Sequence, residues 1–287
     1  MKLFSSLSSF CSYDIFYVVI FVEHYNVKFK KKFGQNFLKR HEVVERIANV
    51  CDLTKDDLVI EVGPGGAILT KELALKAKQV LAYEIDEDLR DELSQKLSEF
   101  TNVEVLFQDF LNSDICQDIS SFSYQNLYFI SNVPYYITTP IVMKIIESKL
   151  DFKKICMMVQ KEVGDRFSAS PGSREYGSIS VFLSYFYQIK KEFFVSRKEF
   201  VPEPNVDSVV ISFTKKDELL PLKSEKTFFQ LVLDSFQFKR KNIRNNLKKY
   251  DLSIVCSVLN QYGYDLNVRA EQLSVEIFVE LANALVL

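Results

Sequence analysis

The chain has 287 residues, 47% of them hydrophobic, and a formal net charge of −2. That length and apolar share are enough for a sizeable core and two domains. The near-neutral balance excludes a globally basic nucleic-acid binder and leaves any such contact to local clusters. Five cysteines, at 11, 51, 116, 156 and 256, form no CxxC pair, and the histidines are His24 and His41 alone. No zinc or other metal site is expected, and the cysteines read as reduced thiols of a cytoplasmic protein.

Residues 1–27 stand apart as an extension of unassigned role. They hold SSLSSF and then IFYVVIFV, an apolar run of eight between Asp14 and Glu23. A membrane-spanning helix needs about 20 such residues, and no small-x-small cleavage site follows the run. Neither a span nor a secretory signal is expected; an extra strand or helix, or a start codon placed too early, is the plainer account.

From residue 41 helical and strand patterns alternate. HEVVERIANVC is helical, LVIEV (58–62) a short apolar strand, and AILTKELALKA helical again. QVLAYEI is a strand, DEDLRDELSQKL an amphipathic helix and VEVLF a strand. LYFIS, a helix over PIVMKIIES and a strand over KICMMVQ continue the series. This alternation predicts a Rossmann-like α/β domain, a parallel sheet with helices on both faces. VDSVVISF (206–213) predicts a late strand near an edge, paired with part of KKEFFV. After KKDELLPLKSEK only helical spacing remains, so a domain change is placed near residue 216, dividing 28–215 from an all-helical 216–287.

Three polar markers fall at the carboxyl ends of successive strands, where α/β sheets bind ligands. EVGPGGAILT (61–70) follows a strand and opens a helix. Its Gly63 and Gly65 permit a tight turn against a ligand. Glu84 closes the next strand, 21 residues after Gly63, and a carboxylate there can accept both hydroxyls of a ribose. Asp109, past the third strand, can accept from an exocyclic amine such as adenine N6. Read separately, each has a plainer account: a tight turn, a helix-capping acid, a turn residue. Together they suit an adenosine-containing cofactor without saying which.

SNVPYY (131–136) ends the fourth of these strands. Asn132 can offer its side-chain oxygen to an amine N–H, and Pro134 stiffens the chain and removes a donor, so the Val133 carbonyl can point at the same amine. Tyr135 supplies a flat face for a flipped base. An exocyclic aromatic amine is a poor nucleophile because its lone pair is delocalised. Two acceptors on its hydrogens favour the pyramidal geometry that frees the pair.

FGQNFL (33–38), EVGPGGAILT, NVPYYIT, MMVQKEVGDRF with YGSIS, and FVPEPNVDSVV occur in one order from about residue 28 to the C-terminus. In these motifs the chain resembles the small-subunit ribosomal RNA adenine N6,N6-dimethyltransferases. The resemblance implies S-adenosylmethionine as methyl donor and, as acceptor, N6 of two adjacent adenosines near the 3′ end of 16S RNA. It implies that Asn36 and Leu38, with Gln35 beside them, line the methionine side of the cofactor. Gly63 would contact its backbone, Glu84 its ribose and Asp109 its adenine amine, with Asn132 between donor and acceptor. The glycine loop departs from the pattern at Gly66–Ala67, and residues 1–27 have no counterpart.

The positive charge is clustered. KFKKKFGQNFLKR (28–40) and FKRKNIRNNLKK (238–249) each carry six Lys or Arg and no acid. Lys30, Lys31, Lys32, Lys239, Arg240, Lys241, Arg244 and Lys248 are the expected RNA phosphate contacts, against the plainer reading of a solvated face. Phe200 is a candidate second stacking face for the target adenine, set against a core aromatic. The expected partner is small-subunit RNA or a 30S precursor particle, with a monomeric enzyme and no membrane. The rival readings are a large-subunit RNA dimethyltransferase of the macrolide-resistance type, a dinucleotide-dependent oxidoreductase and a non-catalytic ribosome assembly factor.

Overall fold

A computed structural model describes residues 37–286. It divides into two compact units, residues 37–159 with Val195–Ser208, and Gln160–Phe194 with residues 209–286.

In the first unit, β1 (Phe37–Leu38) leads to α1 (His41–Ala48). The i, i+3, i+4 spacing of Val43, Val44, Ile47 and Ala48 gives α1 one buried stripe. Then follow β2 (Leu58–Val62), α2 (Ile68–Lys76), β3 (Gln79–Glu84), α3 (Arg90–Leu97) and β4 (Val103–Phe107). A one-turn α4 (Ile115–Asp118), β5 (Leu127–Asn132), α5 (Thr138–Glu147) and β6 (Phe152–Gln160) complete the series. The last residue of β6 falls just past the unit boundary.

β2 to β6 lie in the spatial order β4-β3-β2-β5-β6, every neighbouring pair parallel. LVIEV is buried along its whole length, as expected of a central strand covered on both faces. VEVLF, mostly half-exposed, is the edge. Each fully buried Leu, Val or Ile of the central strands contributes about 1.5–3 kcal/mol. From β2 the chain steps outward to β3 and β4, then returns to place β5 on the other side of β2. Between β2 and β5 the order reverses, and there the strand ends open a crevice.

The second unit holds α6 (Lys161–Phe167), α7 (Ser178–Phe186), β7 (Tyr187–Val195) and β9 (Ser208–Lys215), each of these strands having one terminal residue in the first unit. It continues with α8 (Glu225–Phe236), a one-turn α9 (Ile243–Asn246), α10 (Leu252–Gln261) and α11 (Val275–Leu285). β9 and β7 are neighbours, the pairing expected for VDSVVISF and KKEFFV. The expected division at 216 is not where the compact units part. The reason is aromatic packing: Phe182 of α7 lies 4.7 Å from Phe229 of α8 and Tyr185 lies 5.1 Å from Phe228. The helices on either side of residue 216 share one core.

One pairing had no local signal. β8 (Phe200–Val201) runs antiparallel to β1, with Leu38 opposite Phe200, and Lys39 N–H donates to the Glu199 carbonyl at 2.8 Å.

Candidate functional site

The crevice is a cavity lined by the ends of β2, β3 and β5, the turn after β4, and Leu38. Its floor is the turn after β2. Gly63 and Gly65 have φ of +75° and +50°, left-handed values that cost a side-chain-bearing residue about 1–2 kcal/mol. Ala67 adopts φ +62° nonetheless, fully buried against Leu93 and Leu97. Its N–H closes the turn onto the Pro64 carbonyl at 2.8 Å, and α2 starts directly behind it.

Glu84, 3% exposed, is held by three backbone donors. Ile85 and Asp86 N–H both reach Oε1 at 3.0 Å and Gly65 N–H reaches Oε2 at 3.4 Å. Burial pushes its carboxyl above the usual range, against the pull of those donors. Asp109 also lines the cavity, and it caps the following turn through Leu111 N–H (2.9 Å) and Asn112 Nδ2 (2.8 Å). Each oxygen retains a lone pair for another donor. Tyr136, half-buried on the same cavity, has its phenol pushed up by burial first, then by the charges of Asp109 and Glu84. Glu84, Asp109 and Tyr136 thus bring the ends of β3, β4 and β5 to one cavity.

The tip of β5 closes the opposite side. Asn132, Val133, Pro134 and Tyr135 all line the cavity. A Cβ built on Gly63 would lie 3.6 Å from Pro134 Cγ and Cδ, so the glycine turn and the NVPYY tip are in van der Waals reach. Ser131 Oγ donates to the Val62 carbonyl at 2.7 Å and accepts from Val62 N–H at 3.4 Å, clasping the two strand ends. Pro134 (φ −57°) leads into a single 3-10 turn over Tyr135–Ile137, and Thr138 Oγ1 donates to the Tyr135 carbonyl at 3.2 Å.

One residue passed over in the sequence is Glu61. It is 1% exposed, inside β2, and it faces the cavity. Oε2 has no hydrogen-bond partner among the described residues. Burial, opposed by the neighbouring Thr70 hydroxyl and reinforced more weakly by the Glu84 charge, pushes its carboxyl up to about 8. A lone acid inside LVIEV was the available signal, since a carboxylate in a buried run is costly unless paired or neutral. An orphaned acid oxygen, a glycine cradle and two further carboxylates form an acceptor set that fits the amino group, ribose and adenine amine of S-adenosylmethionine.

The structure brings together Leu38, Gly63, Gly65, Glu84, Asp109, Asn132, Val133, Pro134 and Tyr135. Gln35, Asn36, Lys30, Lys31 and Lys32 lie outside the described residues. Phe200 is corrected: it is 0% exposed, folded under the β1–β8 pairing, and a ring without accessible surface offers no stacking face. Lys239, Arg240, Lys241, Arg244 and Lys248 are all exposed in the second unit, Lys239 Nζ donating to the Arg174 carbonyl at 3.0 Å. Among the described residues no cluster of side chains could hold a metal ion, and no helix is long and apolar enough to cross a membrane.

A family model for ribosomal RNA adenine dimethylase matches residues 26–286. A ribosomal RNA small subunit methyltransferase A of Bacillus mycoides (strain KBAB4) is 40% identical over 276 residues, covering 93% of this chain and 94% of its own. Its counterpart in Bacillus cereus (strain AH187) gives the same values. Among solved structures, 23S rRNA methyltransferase ErmE superposes with a TM-score of 0.70 at 28% identity, over 87% of this chain and 99% of that one. A dimethyladenosine transferase from Plasmodium falciparum gives 0.72 at 24% identity, over 85% and 95%, a likeness of fold.

Proposed function

Because this chain belongs to the ribosomal RNA adenine dimethylase family, we propose that its cavity holds S-adenosylmethionine and an extruded adenine side by side. The activity is methylation of adenine N6 in small-subunit ribosomal RNA with S-adenosylmethionine as donor. The observation that carries the site assignment is the approach of the Gly63 turn to Pro134, since methyl transfer needs donor and acceptor sites within bonding reach of one another.

When bound, the cofactor supplies a methyl group made electrophilic by a sulfonium. Glu84 accepts from the ribose hydroxyls, and its three backbone donors fix the direction of its oxygens. Asp109 accepts from the adenine amine. Glu61 meets the amino group of the methionine end, where a cation would draw off its proton. Gly63 and Gly65 let the backbone come close, and Leu38 forms an apolar wall.

On the acceptor side the Asn132 side-chain oxygen and the Val133 carbonyl accept from the two N6 hydrogens, and Tyr135 stacks on the base. These acceptors favour the pyramidal amine whose lone pair attacks. As the nitrogen–carbon bond formed, the methyl–sulfur bond would break and the donor would leave as a neutral thioether; N6 would become cationic and lose its proton to water, so no side-chain base is required. The acid-free segments at 28–40 and 238–249 engage RNA phosphates. A monomer acting in the cytoplasm on a precursor particle completes the reading.

The large-subunit alternative has the likeness to ErmE in its favour, but the relatives at 40% identity carry small-subunit names. The test is mass spectrometry of small-subunit and large-subunit RNA incubated with the protein and labelled S-adenosylmethionine. Label in dimethyladenosine of the small-subunit RNA alone is expected. Label confined to the large-subunit RNA, or none in either, overturns the reading.

A further inference from the structure

We propose that Ser208 is a positioning residue for methyl transfer, its hydroxyl fixing the Tyr135 ring as a rigid stacking face for the target adenine. This rests on the reading that Tyr135 stacks on that base. Stacking requires only a π-face, which phenylalanine would supply equally well; the phenolic hydroxyl at position 135 needs another reason. It lies 2.6 Å from Ser208 Oγ, 73 residues away in the sequence.

The backbone end of Tyr135 is already held by Pro134, by the turn that Ile137 N–H closes onto the Pro134 carbonyl (3.2 Å), and by Thr138 Oγ1. Two side-chain torsions would still let the ring swing. Anchoring the far end at the hydroxyl removes that freedom. The anchor itself is buried. Ser208 is 0% exposed and is the first residue of β9. The loop before it is braced by Arg197 N–H donating to Asp207 Oδ1 at 3.0 Å and Arg197 Nη1 donating to the Asn205 carbonyl at 3.3 Å. The VPEPNVDS segment thus acquires a purpose: it delivers a fixed hydroxyl to the ring at the tip of β5.

The test is a double-mutant cycle in the full chain with Ser208→Ala, Tyr135→Phe and the two combined. Single-turnover methyl transfer is measured at saturating S-adenosylmethionine and substrate particle, alongside cofactor binding by calorimetry and thermal unfolding. In parallel, an RNA carrying 2-aminopurine at the target adenine reports stacking through its fluorescence lifetime. Each single variant is expected to slow transfer about tenfold, since misplacing a positioned group by a fraction of an ångström is costly. The double variant should be no slower than either, cofactor affinity should hold, and the 2-aminopurine lifetimes should broaden. Unchanged rates, additive losses, or a fall in unfolding temperature with normal turnover would each overturn the proposal. Tyr135→Phe, which preserves the ring, decides the matter if Ser208→Ala does not fold. Asn132→Ala separates the two levels: if it is inactive while Ser208→Ala is fully active, only the anchor fails; if Asn132→Ala is itself active, the underlying site reading fails.

Discussion

The tips of β2 and β5 meet at one cavity and are built by opposite means. The β2 tip is a backbone turn: three left-handed residues in five, Gly63, Gly65 and Ala67, with the side chains of Glu61 and Glu84 lining the same cavity. The β5 tip is stiff, a proline between residues that include an amide and an aromatic, tied down by Thr138 and Ser208. A hollow lined with acceptors suits a small charged ligand that must enter whole. A rigid projection suits one face of a base that remains part of a long polymer. The contrast implies that affinity for the donor and speed of transfer are separable by mutation.

The largest expected effect is on the β5 side. Asn132→Ala should lower single-turnover methylation by about 10²–10³-fold, the usual loss for one preorganised group acting on developing charge. Cofactor dissociation should change by less than about threefold in calorimetry. Equal losses in both would erase the separation. The reciprocal change is Glu84→Ala, which removes a charged acceptor worth about 1.5–3 kcal/mol. It should weaken cofactor binding about 10–100-fold while turnover at saturation stays within about threefold. An unchanged dissociation constant would take Glu84 out of the site.

Glu61 sharpens the comparison through pH. Its carboxyl titrates near 8 when folded against an ordinary 4.5, so between these values the folded chain retains a proton that the unfolded chain has released. Its contribution is therefore fully present below about 4.5 and is lost as pH rises through 8. Glu61→Gln should unfold at a higher temperature than the parent at pH 9, and the two curves should converge near pH 5. Parallel curves would mean that the carboxyl ionises normally.

The smallest effect is Ala67→Gly. Relief of about 1–2 kcal/mol of left-handed strain opposes the loss of a buried methyl worth about 0.8 kcal/mol and of backbone restriction worth about 0.5–1 kcal/mol. Stability by denaturant titration should change by less than about 1 kcal/mol.

Much of this arrangement was legible because it is local. LVIEV, VEVLF and the acid closing QVLAYE fall at the observed strand positions, since apolar runs, glycine turns and strand-end polar residues announce themselves within a few positions. Phe200 was not, because its burial depends on a two-residue pairing with a segment more than 160 residues earlier, and nothing adjacent to it distinguishes a core ring from a surface one. The same holds for α7, whose aromatic face is matched only by α8 beyond the polar stretch. Glu61 was visible as an acid in an apolar strand, but its missing partner became apparent only once β2 lay in the middle of a sheet.

The hydroxyl of Ser131, which takes both the N–H and the carbonyl of Val62, couples the cradle and the projection into one frame. Such a frame cannot easily back away after a first transfer to accommodate a bulkier nitrogen. Room for the second methyl must then come from a shift of the nucleotide itself, so the slack in the RNA, rather than loop motion in the enzyme, would govern how often a monomethylated intermediate is carried to completion.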